Sequence, residues 1–384
     1  MSSETAEQLT AARTSPLEET HRRLGASLVE REGALVPADY GDAAGEYESV
    51  RGGGAGVIDL SSRGRVRVEG GEAVMFLNGM VTNDVKALAE GSWVPCAFPN
   101  PQGRLIAHAR VARLGDAFLI DTEPATREQV RKALERFTLA GDFRVQDLSE
   151  ETAQLSVQGA GALATVGAVL GAEASEIERG RALETEWRGA PVTLLRATHT
   201  GEDGFDLFVE AARGAELWDA LTDAGARPFG FGALEVLRVE AGVPRFGVDV
   251  TESNVVLEAG QTGAVSFTKG CYVGQEIIAR IHWRGHVAKQ LAGLVFEDEG
   301  AEPAAPGSKI FSAEGKEAGR VTSSVYSPRA GRAVALGIVK YDFLKPDTPL
   351  RVGVEAETAR AARVSELPLV RGSWQTDERG GEPA

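Results

Sequence analysis

Residues 267–280 read FTKGCYVGQEIIAR, and no other stretch of the chain gathers so many chemically distinctive residues. Cys271, one of two cysteines in the chain, lies two positions after Lys269 and five before Glu276. A nearby lysine favours the thiolate form of a cysteine, whereas a carboxylate opposes it. The two glycines of the stretch permit tight turns or the close approach of a ligand. From these residues alone, Cys271 is either a reactive thiol on a loop or a small buried residue that only packs.

The composition is that of an ordinary globular protein. The chain has 384 residues, of which 43% are hydrophobic and 25% charged, and this length predicts two to three domains. A formal net charge of −15 opposes binding to nucleic-acid phosphates. Cys96 and Cys271 fit no disulfide or zinc framework, so we expect a reducing compartment and no metal site. The sequence has neither a membrane-length apolar run nor a signal peptide pattern. We therefore expect a cytoplasmic monomer without nucleic-acid or membrane partners.

Hydrophobic periodicity predicts mixed strands and helices, and hence the α+β class rather than an all-parallel α/β fold. Helical spacing of apolar residues predicts helices over residues 128–137 and 231–241. The segment RIHWRGH, residues 280–286, contains a glycine and favours strand or turn, which argues against shared metal ligation by its two histidines. Between residues 309 and 353, short segments such as KIFS and LRVGV have the spacing of a small antiparallel barrel or sandwich.

The pattern K-G-C-Y-x-G-Q-E, from Lys269 to Glu276, resembles the signature of the YgfZ-type folate-binding proteins. These are relatives of the glycine cleavage T-protein, an aminomethyltransferase, and act in iron–sulfur cluster assembly and repair. Further segments are similar to the same superfamily: THTGEDGFDLFV at 198–209, VLRVEAGVPRFGVD at 236–249 and GRVTSSVYSPRAGRAVALGIV at 319–339. The resemblance covers roughly residues 14–365.

This resemblance implies a cloverleaf ring of three domains with folate bound in a central channel. It divides the chain into a discontinuous first α+β folate-binding domain (1–62 and 149–236), a second α+β domain carrying the signature (63–148 and 237–290), a C-terminal antiparallel β-barrel (291–372) and a tail that we expect to be disordered (373–384).

The resemblance also implies a set of cofactor-binding residues. Asp206 occupies the family's pterin-binding carboxylate position, and a carboxylate can accept two parallel N–H bonds from an aminopyrimidine edge. Without the family, a solvated aspartate at the start of a strand is the simpler interpretation. His199 falls where the T-protein has a tyrosine that lines the folate, which changes the polarity of that wall.

Three more residues fall on positions of the family's folate channel. Arg238 matches an arginine there, with a helix-surface ion pair to Glu235 as the alternative. Trp93 and Thr122 fall on two further channel positions. The cofactor implied by the resemblance is tetrahydrofolate or another reduced folate.

One departure from the T-protein pattern concerns the chemistry. T-proteins carry a G-G-[ILV]-x-D-D segment whose first aspartate activates the folate nitrogen, whereas this chain has QGRLIA at residues 102–107. Ile106 and Ala107 thus replace both aspartates, and an aliphatic side chain cannot accept a proton. The departure predicts that aminomethyl transfer by the family route does not occur, although folate binding can persist.

Together these features predict a tetrahydrofolate-binding protein that supports assembly or repair of iron–sulfur clusters, with iron–sulfur client or assembly proteins as partners. Cys271 would be the reactive group and Lys269 would lower its pKa. The rest of the signature would order the loop: Gly270, Tyr272, Gly274, Gln275 and Glu276. The alternatives are a folate-dependent aminomethyltransferase or other one-carbon transferase, and a folate-binding module without chemistry.

Overall fold

The computed structural model describes residues 12–138, 141–299 and 302–376. The α-helices are α1 Glu18–Arg23, α2 Ala43–Arg51, α3 Ala73–Met80, α4 Arg127–Glu135, α5 Ala162–Leu170, α6 Ala172–Glu176, α7 Gly214–Asp223, α8 Phe231–Ala241, α9 Gln275–Arg284 and α10 Ser373–Thr376. The strands are β1 Ser27–Arg31, β2 Ala34–Asp39, β3 Gly56–Asp59, β4 Gly64–Glu69, β5 Ser92–Pro99, β6 Leu105–Leu114, β7 Ala117–Thr122, β8 Arg144–Asp147, β9 Thr152–Gln158, β10 Ala182–Trp187, β11 Ala190–Arg196, β12 Gly204–Glu210, β13 Arg227–Pro228, β14 Lys289–Glu299, β15 Lys309–Ser312, β16 Glu317–Ser327, β17 Arg332–Lys340, β18 Pro349–Gly353 and β19 Arg360–Ser365.

The first sheet has the strand order β10-β11-β12-β9-β3-β13. Helices α5 and α7 contact it, and its core includes Leu155, Val157, Phe205, Leu207 and the fully buried Trp218. Residues spaced by two in β9 and β12 point to the same face, so each strand presents two of these apolar side chains to the helices. The pairing of β9 with β12 aligns Asp206 with Ser156 in the centre of the sheet.

The second sheet is antiparallel, with the order β5-β6-β7-β4-β8. Helices α3 and α4 supply Leu77, Val130 and Leu134 to its core. Val111 of β6 and Ile120 of β7 are paired across the strands and lie in the same core. The strands of this sheet lie in sequence between β3 and β9, so the two sheets are interleaved along the chain.

The C-terminal strands close into an antiparallel barrel with the order β14-β17-β16-β15-β18-β19. Alternating apolar residues fill it, among them Leu294, Phe296, Val321, Leu350 and Val364. This resolves the choice between barrel and sandwich and, with the two mixed layers, confirms the α+β prediction. Helix α8 contacts β2, α2 and barrel strand β16, and its Val239 shares a buried core with Ala97 of β5 and Leu105 of β6. It therefore lies where the three units meet. The exact domain boundaries stay a prediction.

Two local predictions were wrong. Residues of the RIHWRGH segment form the end of α9, and Gly285, with φ of 110°, ends that helix instead of interrupting it. The predicted disordered tail begins with a helical turn, α10, because Ser373 donates from its backbone and its hydroxyl to Glu202. Residues 377–384 of that tail lie outside the described residues. Along the described chain, no helix is long and apolar enough to cross a membrane.

Candidate functional site

A cavity of about 360 Å³ lies beside α8, between the two sheets. Its wall is rich in charge and contains two large aromatic side chains. The charged, histidine and aromatic lining residues are Arg31, Arg63, Arg110, Arg238, Arg245, Glu32, Glu123, Glu235, His108, His199, Trp93 and Phe231. An anionic or amphipathic small molecule with a flat ring system fits this mixture of cations and aromatic faces.

One wall of the cavity contains Arg110, and four charged or polar side chains cluster around it in or behind that wall. The Nη2 atom of Arg110 donates to Asp121 Oδ2 and to Asp206 Oδ2, each at 2.5 Å. The Nε2 atom of His199 lies 3.0 Å from both oxygens of Asp206. Arg63 donates to the other oxygen of Asp121 at 2.7 Å. The cluster joins the first sheet, which carries Asp206, to the second sheet, which carries Arg110 and Asp121.

Strand register explains why these groups meet. Arg110 of β6 and Asp121 of β7 are direct antiparallel partners, so their side chains lie on the same face of the second sheet. Asp206 and Asp121 are both fully buried. Burial opposes their ionisation, but the neighbouring cations outweigh it and hold both pKa values below the ordinary range. Burial lowers the pKa of His199 despite the nearby Asp206 carboxylate.

Asp206 lies behind the cavity wall. Arg110 and His199 line the cavity and bond to its carboxylate, whereas Asp206 itself is not among the lining residues. The solvated-aspartate alternative is therefore wrong, since Asp206 is fully buried. A ligand in the cavity therefore meets Arg110 and His199, the two side chains that Asp206 holds in place.

Arg238 of α8 also lines the cavity. It donates to Glu235, the partner in the alternative interpretation. It also donates to Asp249 Oδ2 and to Ser323 Oγ, each at 2.5 Å. Ser323 belongs to barrel strand β16, so this buried arginine ties α8 to the barrel while bordering the cavity. The Arg238 side chain is 6% exposed, which excludes a simple surface ion pair.

Trp93 and Thr122 differ in their relation to the cavity. Trp93 lines it, lies 5.7 Å from the Arg110 guanidinium and donates from Nε1 to the Arg196 carbonyl at 3.0 Å. Thr122 is fully buried and donates to the His108 carbonyl at 2.9 Å. It is not among the lining residues, so its place is beneath the wall, where it fixes the backbone of His108.

The sequence analysis missed several titratable lining residues, among them Arg110, His108 and Glu123. His108 lies two residues before Arg110 on β6, and neither of its ring nitrogens has a hydrogen-bond partner among the described residues. Burial lowers its pKa to about 4. The backbone N–H of Phe246 donates to Glu123 Oε2 at 2.9 Å, and burial raises the Glu123 pKa to about 7. The period-two spacing of His108 and Arg110 within an apolar strand was the signal available in the sequence.

Ile106 and Ala107 pack against the core of the second sheet. The positions where the T-protein pattern has aspartates therefore supply no proton acceptor to the cavity. Titratable groups near these positions are instead His108 and Arg110 of the same strand and Glu123, which directly follows β7.

Lys269 of the signature binds backbone carbonyls at the C-terminal end of a helix. Its Nζ atom donates to the carbonyls of Asn78, Val81 and Asn83 at 2.7, 2.8 and 2.6 Å. These carbonyls lie at and after the C-terminal end of α3, where a cation offsets unpaired acceptors. Burial lowers the Lys269 pKa to about 8. The Lys269 ammonium, which was predicted to lower the pKa of Cys271, thus donates to three backbone carbonyls instead.

The signature loop is anchored to the turn that precedes β6. Gly274, with φ of 76°, directly precedes α9 as its N-cap, and a Cβ atom there would lie 2.4 Å from the Asn100 carbonyl oxygen. Gln275 donates to the Gly270 carbonyl at 3.4 Å, which closes the loop. Tyr272 is buried, whereas Glu276 is exposed.

The two cysteines lie in opposite environments. Cys271 is exposed and Cys96 is buried, and burial raises the Cys96 pKa to about 12. The packing alternative for Cys271 is therefore not what the structure shows. Residues 269–276 are not among the described residues that line the cavity. The Asn83 side chain, which donates to the Gly263 carbonyl at 2.9 Å, connects the Lys269 anchor to the cavity rim.

Within residues 12–138, 141–299 and 302–376, no group of three histidine, cysteine, aspartate or glutamate side chains could hold a metal ion.

Comparison with known proteins identifies the same architecture elsewhere. Residues 17–269 match the GCVT N-terminal domain and residues 289–371 match the glycine cleavage T-protein C-terminal barrel domain. An aminomethyltransferase of Rubrobacter xylanophilus is 36% identical over 96% of this chain and 97% of its own length. An aminomethyltransferase of Thermus thermophilus is 34% identical over 92% of this chain and 98% of its own.

A solved structure shows the same fold over nearly the whole chain. The glycine cleavage system aminomethyltransferase T from Bartonella henselae has a TM-score of 0.86 and 25% identity, covering 94% of this chain and 98% of that one. The superfamily predicted from the signature is confirmed, while the narrower YgfZ-type assignment stays a prediction. The chain belongs to the glycine cleavage T-protein family.

Proposed function

We propose that the protein binds a reduced folate in the cavity beside α8 and uses it in one-carbon transfer. The observation that carries this proposal is the buried cluster of Arg110, Asp206 and His199 in and behind one wall of an arginine-rich cavity. Aminomethyltransferases bind tetrahydrofolate, so family membership supports the cofactor predicted from the sequence. The relatives are named aminomethyltransferase, which favours aminomethyl transfer over the iron–sulfur role.

The lining residues fit the two ends of a folate. Arg31 and Arg245 are the more exposed arginines of the lining, with side chains 25% and 23% exposed. They suit the carboxylates of the folate's own glutamate tail, at the solvent-facing end of the cavity. Arg110 and His199 are more deeply buried, with side chains 11% and 14% exposed, and suit the hydrogen-bonding edge of the pterin. Trp93 offers an aromatic face between them.

Unpaired polar atoms in the lining also fit a polar ligand. The Nε atoms of Arg238 and Arg245 and both ring nitrogens of His108 are buried without a hydrogen-bond partner among the described residues. Unpaired buried polar atoms destabilise a protein, so groups of this kind are expected where a ligand restores the lost bonds.

The chain's own residues would bind and orient the cofactor. A reduced folate supplies a nucleophilic nitrogen that carries the one-carbon unit. Arg110 and His199, held by Asp206, would fix the pterin edge, and Arg238, held by Asp249 and Ser323, would fix the wall next to α8. Because these side chains are already held by buried partners, little side-chain freedom remains to be lost on binding.

Support of iron–sulfur enzymes is a second candidate function, and the exposed Cys271 on the signature loop favours it. A thiol on this loop can meet a partner protein without entering the cavity. Under this proposal, Cys271→Ser keeps folate affinity and loses the ability to restore iron–sulfur client enzymes in cells. A serine variant that restores these enzymes as well as the native protein would remove the second candidate.

Aminomethyl transfer is tested by mixing the protein, tetrahydrofolate and an aminomethylated lipoyl carrier and measuring released ammonia. The proposal expects turnover within the usual range of enzymes, on the order of 1 per second or faster. Folate binding without ammonia release would leave the binding proposal standing and contradict this reaction.

A further inference from the structure

Glu123 is distinguished from the other carboxylates of the cavity by what its oxygens contact. Glu32 forms an ion pair with Arg245, and Glu235 forms ion pairs with Arg31, Arg238 and Arg245. Among the described residues, none forms an ion pair with Glu123. The Phe246 N–H holds its Oε2 atom at 2.9 Å, and its Oε1 atom has no described hydrogen-bond partner.

The position of Glu123 makes that oxygen available to a ligand. The residue directly follows β7, next to Thr122, and its side chain lines the same cavity as Arg110 and His108. One oxygen is fixed by the backbone while the other is free, which orients the carboxylate without neutralising it. No other carboxylate of the described cavity wall combines these features, and Ile106 and Ala107 contribute none.

We propose that Glu123 is the residue that accepts a proton in the cavity during one-carbon transfer; this inference rests on the proposed function. Oε1 of Glu123 takes the proton from the attacking N–H group as that nitrogen bonds to the transferred carbon. The bond between this carbon and its leaving group breaks, and the electron pair departs with the leaving group. Glu123 then returns the proton to the leaving group, so the carboxylate ends as it began and no oxidant or reductant is required.

The electrostatic surroundings agree with this role. Burial raises the pKa of Glu123 to about 7, and Glu32 and Asp249 act in the same direction, whereas Arg63 and the Phe246 N–H oppose it. A proton acceptor works best when its pKa lies near the working pH.

Glu123→Gln is the direct test, because the amide keeps the volume and can still accept from the Phe246 N–H. The tetrahydrofolate affinity of this variant is expected within about twofold of native, whereas transfer falls by roughly 10²–10⁴-fold. Glu150→Gln is the control, since that carboxylate is 69% exposed and pairs with Arg127 outside the cavity; it should bind and turn over like the native protein.

A second readout does not depend on turnover. Carbon-13 NMR of glutamate-labelled protein should show one carboxyl resonance that titrates near pH 7, is missing in Glu123→Gln and shifts its midpoint when tetrahydrofolate is added. An unchanged midpoint, or native turnover in Glu123→Gln, would overturn the role of Glu123 alone. Folate binding without any transfer by the native protein would overturn the proposed transfer reaction, and the role of Glu123 with it. Absence of folate binding by the native protein would overturn the proposed function and, with it, this inference.

Discussion

Arg110 and Asp206 come from different sheets and are joined by a hydrogen bond of 2.5 Å between Nη2 and Oδ2. Both side chains are largely withdrawn from solvent, at 11% and 0% exposure. The bond couples the relative position of the two sheets to the shape of the cavity wall. The same contact that holds the domains together therefore also places the groups proposed to meet the ligand.

Replacing Asp206 by asparagine should impair stability and ligand binding together. Removing one partner of a buried ion pair leaves an uncompensated charge, so the free energy of unfolding should fall by roughly 3–5 kcal/mol. Affinity for tetrahydrofolate should fall at least about tenfold, because Arg110 and His199 lose the hydrogen bonds that orient them. Such a loss costs about 1–3 kcal/mol. Urea unfolding and calorimetric titration measure the two effects.

Asp203→Asn provides the matched control for that variant. Asp203 forms a largely buried ion pair with Arg196 at 2.5 Å, but neither residue lines the cavity. The Asp203→Asn variant should lose stability and keep its affinity for tetrahydrofolate. Equal loss of affinity in both variants would mean that Asp206 acts only through stability.

Lys269→Met should destabilise the protein by roughly 2–3 kcal/mol, because three carbonyl oxygens near the end of α3 lose their donor. Lys86→Met, at an exposed position nearby, should change the free energy of unfolding little. If Lys269 served mainly to activate Cys271, the variant would instead keep its stability and lose thiol reactivity.

Cys271 should react with iodoacetamide at neutral pH at least roughly a hundredfold faster than Cys96, since Cys271 is exposed and burial raises the Cys96 pKa to about 12. Mass spectrometry of labelled peptides gives the two rates. Because residues 269–276 do not border the cavity, tetrahydrofolate should not protect Cys271; strong protection would place the loop at the ligand.

His108 should make the protein less stable as the medium becomes acidic. Burial lowers its pKa to about 4, below the ordinary value near 6.5. The unfolded chain therefore binds more protons than the folded protein between these pH values. The contribution of His108 to the free energy of unfolding is full above about pH 6.5 and declines as the pH falls through 4. The decline amounts to roughly 3 kcal/mol at most.

His108→Leu should flatten the dependence of unfolding free energy on pH in this window. His286→Leu, at an exposed histidine, serves as the control and should keep the native profile. An unchanged profile in His108→Leu would show that the ring is solvated or paired in solution.

Much of the fold was accessible from the sequence, because amphipathic patterns depend only on local spacing. The helix predicted over residues 231–241 is α8, and that predicted over residues 128–137 is α4, shifted by one or two residues at its ends. The signature identified the superfamily. RIHWRGH was misassigned because a glycine that ends a helix looks, in sequence, like one that prevents it.

The site was predicted only in part. Sequence placed Asp206, His199, Arg238 and Trp93 near one ligand, and the last three line one cavity. It could not show that Arg110 covers Asp206, because that contact joins residues 96 positions apart in two different sheets. Nor could it show that Lys269 serves three carbonyls, since backbone acceptors leave no mark in sequence.

The central claim, that the cavity binds a reduced folate, is tested most directly by calorimetric titration of the native protein with tetrahydrofolate under anaerobic conditions. We predict saturable binding with one folate per chain, and competition between tetrahydrofolate and its analogues that keep the pterin ring. The account would be contradicted if no heat of binding appeared at concentrations high enough to detect a dissociation constant of about 1 mM.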